Sequence, residues 1–422
     1  MRSAASGLKA YLTVTAAYWA FMLTDGALRM LVLLHFHTLG FSPVQLAYLF
    51  LLYEIMGIVT NLSAGWLASR FGLTSTLYAG LTIQIGALLA LAALDPTWAL
   101  TASVVYVMAV QGASGVAKDL SKMSSKSAVK LLAPSEGNAL FRWVAALTGS
   151  KNAVKGLGFF IGAVLLGVAG FQSAVLSMAG VLAVILAGTV LFMPSGLPGG
   201  KKGTKMSAVW PKDPDIRALS LARVFLFGAR DTWFVVGIPV FFYAVLSDGT
   251  IEGNRTAFFL IGSFMAGWII FYGAVQGFAP KLLSRQTSTV AETVGAARLW
   301  VALLTAIPAV LAVAAAMALP GLVPIVVVGL LVFAVVFALN SALHSYLILA
   351  FSTSERVTLD VGFYYMANAA GRLLGTLLSG ISYQLAGVAG CLAVAAAMSG
   401  LSWLAATRLA ARHRRAEIAA SD

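Results

Sequence analysis

The cations best suited to bind an anion lie between residues 118 and 155. They are Lys118, Lys122, Lys126 and Lys130, then Arg142, then Lys151 and Lys155. The spacing of four within each lysine series places these side chains on one face of a helix. The stretch lies between segments that are apolar enough to cross a membrane. Its chemistry therefore depends on whether these cations lie in a wet cytoplasmic loop or line a cavity inside the bilayer.

The composition is that of an integral membrane protein. Of the 422 residues, 60% are hydrophobic and 10% are charged, whereas soluble domains have about 45–50% apolar and about 25% charged residues. The net charge is +13, and the basic residues are in short loops and inside apolar segments. This distribution favours an anionic ligand over nucleic acid. Cys391 is the single cysteine, which excludes an intrachain disulfide and a cysteine-based metal cluster.

Apolar segments long enough to cross a membrane recur along the chain and predict about twelve transmembrane helices. We place them at residues 11–37, 43–68, 74–94, 98–130, 137–169, 171–193, 217–246, 255–279, 288–318, 321–350, 358–386 and 388–408. The first apolar run is too long for the core of a cleavable signal peptide. The sequence therefore predicts an all-α polytopic membrane protein.

The segment 194–215 is expected to divide the chain into two six-helix halves. It is too short and too rich in glycine and lysine for a folded domain, so it acts as a cytoplasmic linker between residues 1–193 and 216–422, the second half ending in a short basic tail. Asp25 in the first span and Asp231 in the seventh each precede a similar apolar run. Such internal similarity is typical of transporters with a binding site at the membrane midplane.

Lysine and arginine residues fall on alternate loops, which predicts the orientation. The opposite loops carry Asp95, Asp248 and Glu252, with Arg255 as the one basic exception. By the positive-inside rule, both termini are cytoplasmic. We expect a multi-pass protein of the inner (cytoplasmic) membrane.

Two arguments place part of the basic stretch inside the bilayer. A fifth span that began at Gly156 would rise only about 22 Å before Gly170, short of the roughly 30 Å hydrocarbon core, so the helix must include Lys151 and Lys155. The matching place in the second half has only a short loop near 354–356. A corresponding loop at 134–136 extends the fourth span to about residue 130 and buries Lys118 and Lys122. The alternative is a long cytoplasmic loop, which stays open above all for Lys126 and Lys130.

Other ionisable residues also fall within predicted spans. They are Asp25, Arg29, Glu54, Asp119, Arg142, Arg223, Arg230, Asp231, Arg298, His344 and Arg372. Charges at this depth persist where they pair or line a wet cavity. One interpretation is that Asp25 and Asp231 only form interhelical ion pairs. Because the bases outnumber the acids, we also expect a multiply charged anion as counter-ion, and Glu54 is a candidate lone proton carrier.

A motif near residue 70 gives a first family resemblance. Segment 65–74 reads GWLASRFGLT and is similar to the G-x-x-x-D-R-x-G-R-R loop between the second and third spans of the major facilitator superfamily. Both glycines and Arg70 match, but Ser69 stands at the acidic position and the trailing basic pair is absent. With the twelve-span layout, this resemblance implies a major-facilitator-type fold that lacks the motif's own ion pair.

Four longer stretches resemble the ArsJ branch of that superfamily, the organoarsenical efflux permeases. They are LTDGALRMLVLLHFHTLGFSP (23–43), LLYEIMGIVTNLSAGWLASRFGL (51–73), QGASGVAKDLSKMSSKSAVKLLAP (111–134) and LFRWVAALTGSKNAVKGLGFF (140–160). The resemblance implies export of 1-arseno-3-phosphoglycerate, which forms when glyceraldehyde-3-phosphate dehydrogenase uses arsenate in place of phosphate. That dehydrogenase is then a functional partner, through metabolism at least. One cysteine makes thiolate binding of trivalent arsenic a poor alternative.

The sequence thus predicts an alternating-access exporter of a small polyanion, acting as a monomer without cofactor or metal. The expected substrate-binding residues are Arg29, Lys118, Lys122, Lys151, Lys155, Arg230 and Arg372. The candidates for proton or charge coupling are Asp25, Glu54, Asp119 and Asp231. No phosphate-binding loop, nucleophile elbow or zinc spacing predicts an enzyme. Alternatives are an organophosphate/phosphate antiporter or other organic-anion transporter of the same fold, an exporter of lipophilic cations, which the surplus of bases disfavours, and a membrane receptor.

Overall fold

A computed structural model describes residues 2–132, 139–193, 210, 211, 213–283, 289–353 and 357–421. Its helices are α1 (Arg2–Thr38), α2 (Pro43–Ala92), α3 (Leu100–Leu132), α4 (Ala139–Ala169), α5 (Phe171–Phe192), α6 (Pro214–Phe234), α7 (Gly237–Leu246), α8 (Ile251–Leu282), α9 (Val290–Ala316), α10 (Leu322–Phe351) and α11 (Val357–Ser421). Most boundaries lie within about four residues of the predicted segments, but α1 begins at Arg2 and α11 continues to Ser421, beyond the predicted 11–37 and 388–408.

Within the described ranges, 11 helical segments are long and apolar enough to cross a membrane. The last of these, Leu359–His413, has 55 residues and contains non-helical backbone at Ala386 and Gly387. Since about 20 residues suffice for one crossing, it is long enough for two. Helix α2 likewise contains two spans, separated at Gly72, where φ is 75°. The prediction of an all-helical polytopic membrane protein is confirmed.

The seventh predicted span is interrupted, which the sequence pattern did not indicate. Helix α6 begins at Pro214, after Asp213, whose carboxylate accepts a hydrogen bond from the Asp215 backbone N–H at 2.7 Å. The span breaks between α6 and α7. There the Ser379 hydroxyl accepts hydrogen bonds from the N–H groups of Val236 and Gly237 at 3.1 and 3.0 Å. A side chain from α11 thus satisfies backbone donors that the break exposes.

The basic stretch 118–155 is mostly helical. Helix α3 continues to Leu132 and α4 begins at Ala139, so these segments are helical and not a loop, and the depth of their lysines in the bilayer stays a prediction. Helix α3 continues about two turns past its apolar span Leu100–Ser125, and α4 begins about three turns before its apolar span Ser150–Ala169. The short loop predicted at 134–136 lies outside the described residues, as does most of the linker 194–215.

The chain folds as two compact units, and each contains a segment from the other predicted half. Unit 1 comprises Met1–Gly40, Tyr48–Ser207 and Tyr243–Ile270. Unit 2 comprises Phe41–Ala47, Ala208–Phe242 and Phe271–Asp422. The division into halves at 194–215 stays a prediction.

Glycines bring the helices that carry the charged residues into backbone contact. In unit 1, a Cβ atom on Gly158 or Gly162 of α4 would collide with the α1 backbone near Leu23 and Ala27. In unit 2, a Cβ atom on Gly371 of α11 would collide with the α6 backbone at Val224. Small residues of this kind permit close helix packing within a membrane. The first and fifth spans of one unit therefore pack much as the seventh and eleventh spans of the other do.

Candidate anion-binding site

The carboxylate of Asp25 is the centre of a charged cluster in unit 1. It is 3% exposed and accepts a hydrogen bond from the Tyr53 hydroxyl at 2.6 Å and one from Lys155 Nζ at 2.9 Å. Lys118 Nζ lies 4.0 Å from the centre of the Tyr53 ring, within the range of a cation–π interaction. Four helices, α1 to α4, each supply one of these side chains. The close approach of α1 at Gly26 to the backbone of Lys155 brings the lysine beside Asp25.

A second ion pair lies one helical turn along α1. Arg29 Nη2 is 2.9 Å from Glu54 Oε1, and Glu54 is fully buried. The guanidinium carbon of Arg29 lies 5.2 Å from the ring centre of Phe50 and 5.5 Å from that of Tyr53. Glu54 is therefore not the lone carboxylate that was expected, because it pairs with Arg29; its role in proton coupling stays a prediction. Asp25 and Arg29, four residues apart, each pair with a different helix and not with each other.

The two pairs border a small cavity. Its lining is Asp25, Arg29, Phe50, Tyr53 and Gln111. The centres of water-sized molecules have about 10 Å³ available there, which is room for roughly one water molecule. This cavity therefore has no room beside Arg29 for a ligand larger than water.

Lys118 and Lys122 lie on one face of α3, as their spacing predicts. Lys122 Nζ lies 2.9 Å from Asn61 Oδ1 and 3.5 Å from Asp119 Oδ1. Asp119 also accepts a hydrogen bond from Thr60. Since Tyr53, beside Lys118, and Asn61, beside Lys122, are both on α2, the two lysines lie along that helix.

Lys151 is half-buried on α4, one turn before Lys155. The side chains of Lys126, Lys130 and Arg142 lie outside the described residues. Lys118 is buried, whereas Lys122 and Lys155 are 23% and 17% exposed.

Unit 2 contains a similar charged cluster around Asp231. Arg230 Nη2 is 2.5 Å from Asp231 Oδ1, and Arg372 Nε is 3.6 Å from Asp231 Oδ2. Asp231 is 1% exposed, while the two arginines are 13% and 17% exposed. Arg372 is on α11, the helix whose glycines contact α6. The carboxylate thus lies between two guanidinium groups, one from its own helix and one from the helix packed against it.

Two arginines of unit 2 differ from the sequence interpretation in opposite ways. Arg298 was expected among the buried, unbalanced bases, but its side chain is exposed on α9, because it faces away from the neighbouring helices. Arg223 was not chosen as a site residue, yet it is 5% exposed. Among the described residues, no carboxylate forms an ion pair with it.

Sequence reasoning also missed the uncharged partners of the cluster. Tyr53 and Asn61 are polar positions inside an apolar helix, and each contacts a lysine of α3. Their spacing from Glu54 on α2 could have identified them. Tyr53 is adjacent to Glu54, and Asn61 lies about two turns further along the helix. Their contacts depend on helix packing, which the pattern alone does not give.

Bases outnumber acids among the spanning residues whose side chains the structure describes. The bases are Arg29, Lys118, Lys122, Lys151, Lys155, Arg223, Arg230 and Arg372; the acids that pair with them are Asp25, Glu54, Asp119 and Asp231. Each unit has more cations than paired carboxylates. A site of this composition attracts anions and repels cations.

Comparison with solved structures identifies the architecture. A POT family transporter in complex with a thioalcohol-conjugated peptide superposes with a TM-score of 0.72 at 12% identity, covering 93% of this chain and 94% of that chain. The chain has a major-facilitator-type fold. The nucleoside transporter NupG gives a TM-score of 0.67 at 16% identity over 96% and 99% of the two chains. A bacterial homologue of the iron transporter ferroportin, inward-facing, gives 0.65 at 14% identity over 96% and 98%. No family model and no curated protein matches the sequence.

The motif that suggested this major-facilitator-type fold adopts a helical turn with one kink. Gly72 has a φ of 75°, a backbone angle that glycine adopts without strain. Arg70 is exposed, and its guanidinium carbon lies 5.3 Å from the ring centre of Trp66. In this chain, Arg70 therefore stacks on an aromatic ring of its own segment.

Proposed function

We propose that this protein exports a small polyanionic organoarsenical, 1-arseno-3-phosphoglycerate, across the inner membrane by alternating access. Together with glyceraldehyde-3-phosphate dehydrogenase, it would confer resistance to arsenate. The cargo leaves as an unstable ester and releases arsenate outside the cell. The substrate identity rests on the resemblance of segments 23–43, 51–73, 111–134 and 140–160 to organoarsenical permeases.

The main structural support for an anionic substrate is the charged cluster around Asp25. Lys155, Lys118 and Arg29 come near it from three helices: Lys155 binds Asp25, Arg29 binds Glu54, and Lys118 lies over the Tyr53 ring. Phosphate and arsenate oxygens make the same charge-assisted hydrogen bonds as a carboxylate does. The substrate would replace Asp25 as the partner of Lys155 and Glu54 as the partner of Arg29.

The resembling segments contain the residues of this cluster. Asp25 and Arg29 lie in 23–43, Tyr53 in 51–73, Lys118 in 111–134 and Lys155 in 140–160. The resemblance to organoarsenical permeases therefore includes the charged and polar residues of the proposed site and not only the apolar residues of the helices.

The main alternative is an organophosphate/phosphate antiporter that imports its substrate. The same cations favour it, since phosphoglycerate and the proposed arsenical both have an anionic group at each end. Direction of flux separates the two: an importer makes cells accumulate labelled phosphoglycerate, whereas the exporter makes them lose arsenic.

The deciding experiment uses arsenate-sensitive cells that express this protein with and without the dehydrogenase. We expect lower cellular arsenic and higher arsenate resistance only when both are present. A Lys155→Gln, Lys118→Gln variant serves as the matched control, because it removes two cations of the cluster. Lower arsenic with the transporter alone would point to free arsenate as cargo. No effect in either case would overturn the arsenical assignment and leave a general organic-anion carrier.

A further inference from the structure

Arg223 and Arg230 lie on the same face of α6, seven residues and about two turns apart. Phe227 lies between them: its ring centre is 3.9 Å from the guanidinium carbon of Arg223 and 4.8 Å from that of Arg230. The two guanidinium carbons therefore cannot be farther apart than these two distances together. Phe227 is 6% and Arg223 is 5% exposed, and Arg230 is 13% exposed, so the three side chains form a continuous, largely buried row.

The two ends of this row are held differently. At one end, Arg230 and Arg372 share the carboxylate of Asp231. At the other end, neutral groups hold Arg223: Nε donates to Asn368 Oδ1 at 3.1 Å, and Nη1 donates to the Ser341 hydroxyl at 3.1 Å. Among the described residues, Nη2 of Arg223 has no hydrogen-bond acceptor. A buried guanidinium without a carboxylate is costly unless an anion joins it.

Neighbouring side chains complete a polar environment at the Arg223 end. Tyr272 and Gln276 of α8 donate to the Ser341 hydroxyl at 3.5 and 3.3 Å. His344, one turn further along α10, is 1% exposed, and its Nδ1 has no hydrogen-bond partner among the described residues. The Tyr364 ring centre lies 4.9 Å from the guanidinium carbon of Arg223. The groups around this guanidinium are thus polar or aromatic and uncharged.

We propose that unit 2 contains a two-ended anion site, in which Arg230 and Arg372 bind one anionic group and Arg223 binds the other. Asp231 neutralises one of the two charges of Arg230 and Arg372. One positive charge therefore remains at that end of the Phe227 ring, and the charge of Arg223 remains at the other end. The matching ligand is a short-chain molecule with an anionic group at each end. This inference rests on the proposed function and makes Arg223 the residue that distinguishes two-ended from one-ended anions.

The test compares two probes with the purified full-length protein. 3-Phosphoglycerate has a phosphate and a carboxylate at opposite ends of three carbons, whereas glycerol 3-phosphate has the phosphate alone. We expect wild-type protein to bind 3-phosphoglycerate more tightly. Arg223→Gln should weaken that binding by about 10- to 100-fold, the usual effect of losing a hydrogen bond to a charged group, with little change for glycerol 3-phosphate.

A second variant covers the case in which Arg223→Gln does not fold. Asn368→Asp places a carboxylate 3.1 Å from Arg223 Nε, so the arginine stays in place but its charge is already neutralised. This variant should also lose the preference for 3-phosphoglycerate. Arg298→Gln is the matched control, because it removes an exposed arginine from the same unit and should change neither affinity.

The outcomes separate this inference from the proposed function. If wild-type protein prefers 3-phosphoglycerate and both variants keep that preference, the two-ended site is wrong and anion transport stands. An equal loss for both probes also overturns it, because Arg223 would then act on the whole fold. If wild-type protein neither binds nor transports either probe, the proposed function fails and the site with it.

Discussion

Lys155 of α4 donates to the carboxylate of Asp25 on α1 at 2.9 Å. In unit 2, Arg372 of α11 approaches Asp231 of α6 at 3.6 Å. In both units the acid is on the first helix of a predicted half and the base is on a helix that packs against it through glycines. The same solution to burying charge thus occurs twice in the chain, which supports the interpretation of Asp25 and Asp231 as related positions.

Removing one member of the Asp25–Lys155 pair should lower the free energy of unfolding more than removing both members does. Asp25→Asn leaves Lys155 without its carboxylate and is expected to destabilise the protein by about 3 kcal/mol, the low end for breaking a buried pair, since Lys155 is 17% exposed. The melting temperature of the detergent-purified protein measures this. Adding Lys155→Gln to that variant should recover part of the loss.

The control for this prediction is an exposed carboxylate. Glu252 is 84% exposed and lies 4.0 Å from Arg255, so Glu252→Gln should change stability by about 0.5 kcal/mol or less. A double variant at Asp25 and Lys155 that is no more stable than Asp25→Asn would contradict the pairing argument.

Helices α4 and α1 are in backbone contact at Gly162, where there is no room for a side chain. A Cβ atom on Gly162 would collide with the Ala27 backbone, so Gly162→Ala is expected to reduce the yield of monodisperse protein severely. Gly180→Ala is the matched control in the same unit, because nothing lies within 4 Å of its added Cβ atom. That change should be neutral or stabilising by up to about 1 kcal/mol. Size-exclusion profiles of tagged protein compare the two, and equal profiles would refute the packing argument.

The lysines of α3 and α4 should matter for transport more than lysines elsewhere. We expect Lys118→Ala, Lys122→Ala, Lys151→Ala and Lys155→Ala to reduce arsenic efflux, each by about tenfold or more, because each removes a charge-assisted contact to the anion. Lys281→Ala, at the exposed end of α8, should retain wild-type flux. Full transport and resistance in all four variants would rule out this set as the binding residues.

Glu54 should couple transport to protons. Protonating this buried carboxylate would release Arg29, which lies 2.9 Å away, for the substrate. In proteoliposomes, Glu54→Gln is expected to keep 3-phosphoglycerate counterflow but lose its stimulation by an imposed pH gradient. Glu252→Gln should respond as wild type does. A Glu54→Gln variant that still responds fully would transfer the coupling role to Asp25, Asp119 or Asp231.

Local properties of the sequence were enough to predict the helices. Hydropathy depends on neighbouring residues alone, so most predicted spans agree with the structure. In the stretch 118–155, the helix length needed to cross a bilayer correctly placed Lys151 in α4. The interrupted seventh span escaped this reasoning because its break depends on Ser379, a residue more than a hundred positions away.

The amino-acid sequence by itself determined the membrane class, the approximate spans and the surplus of buried positive charge. It also identified the acids and bases, since charged residues are rare within apolar helices. Only the tertiary structure decided which charges meet. Asp25 pairs with Lys155, 130 residues away, and not with Arg29 on its own helix, because helix packing through glycines brings distant backbones together. The same packing exposes Arg298 and buries Arg223 beside Phe227, a distinction that hydropathy cannot make.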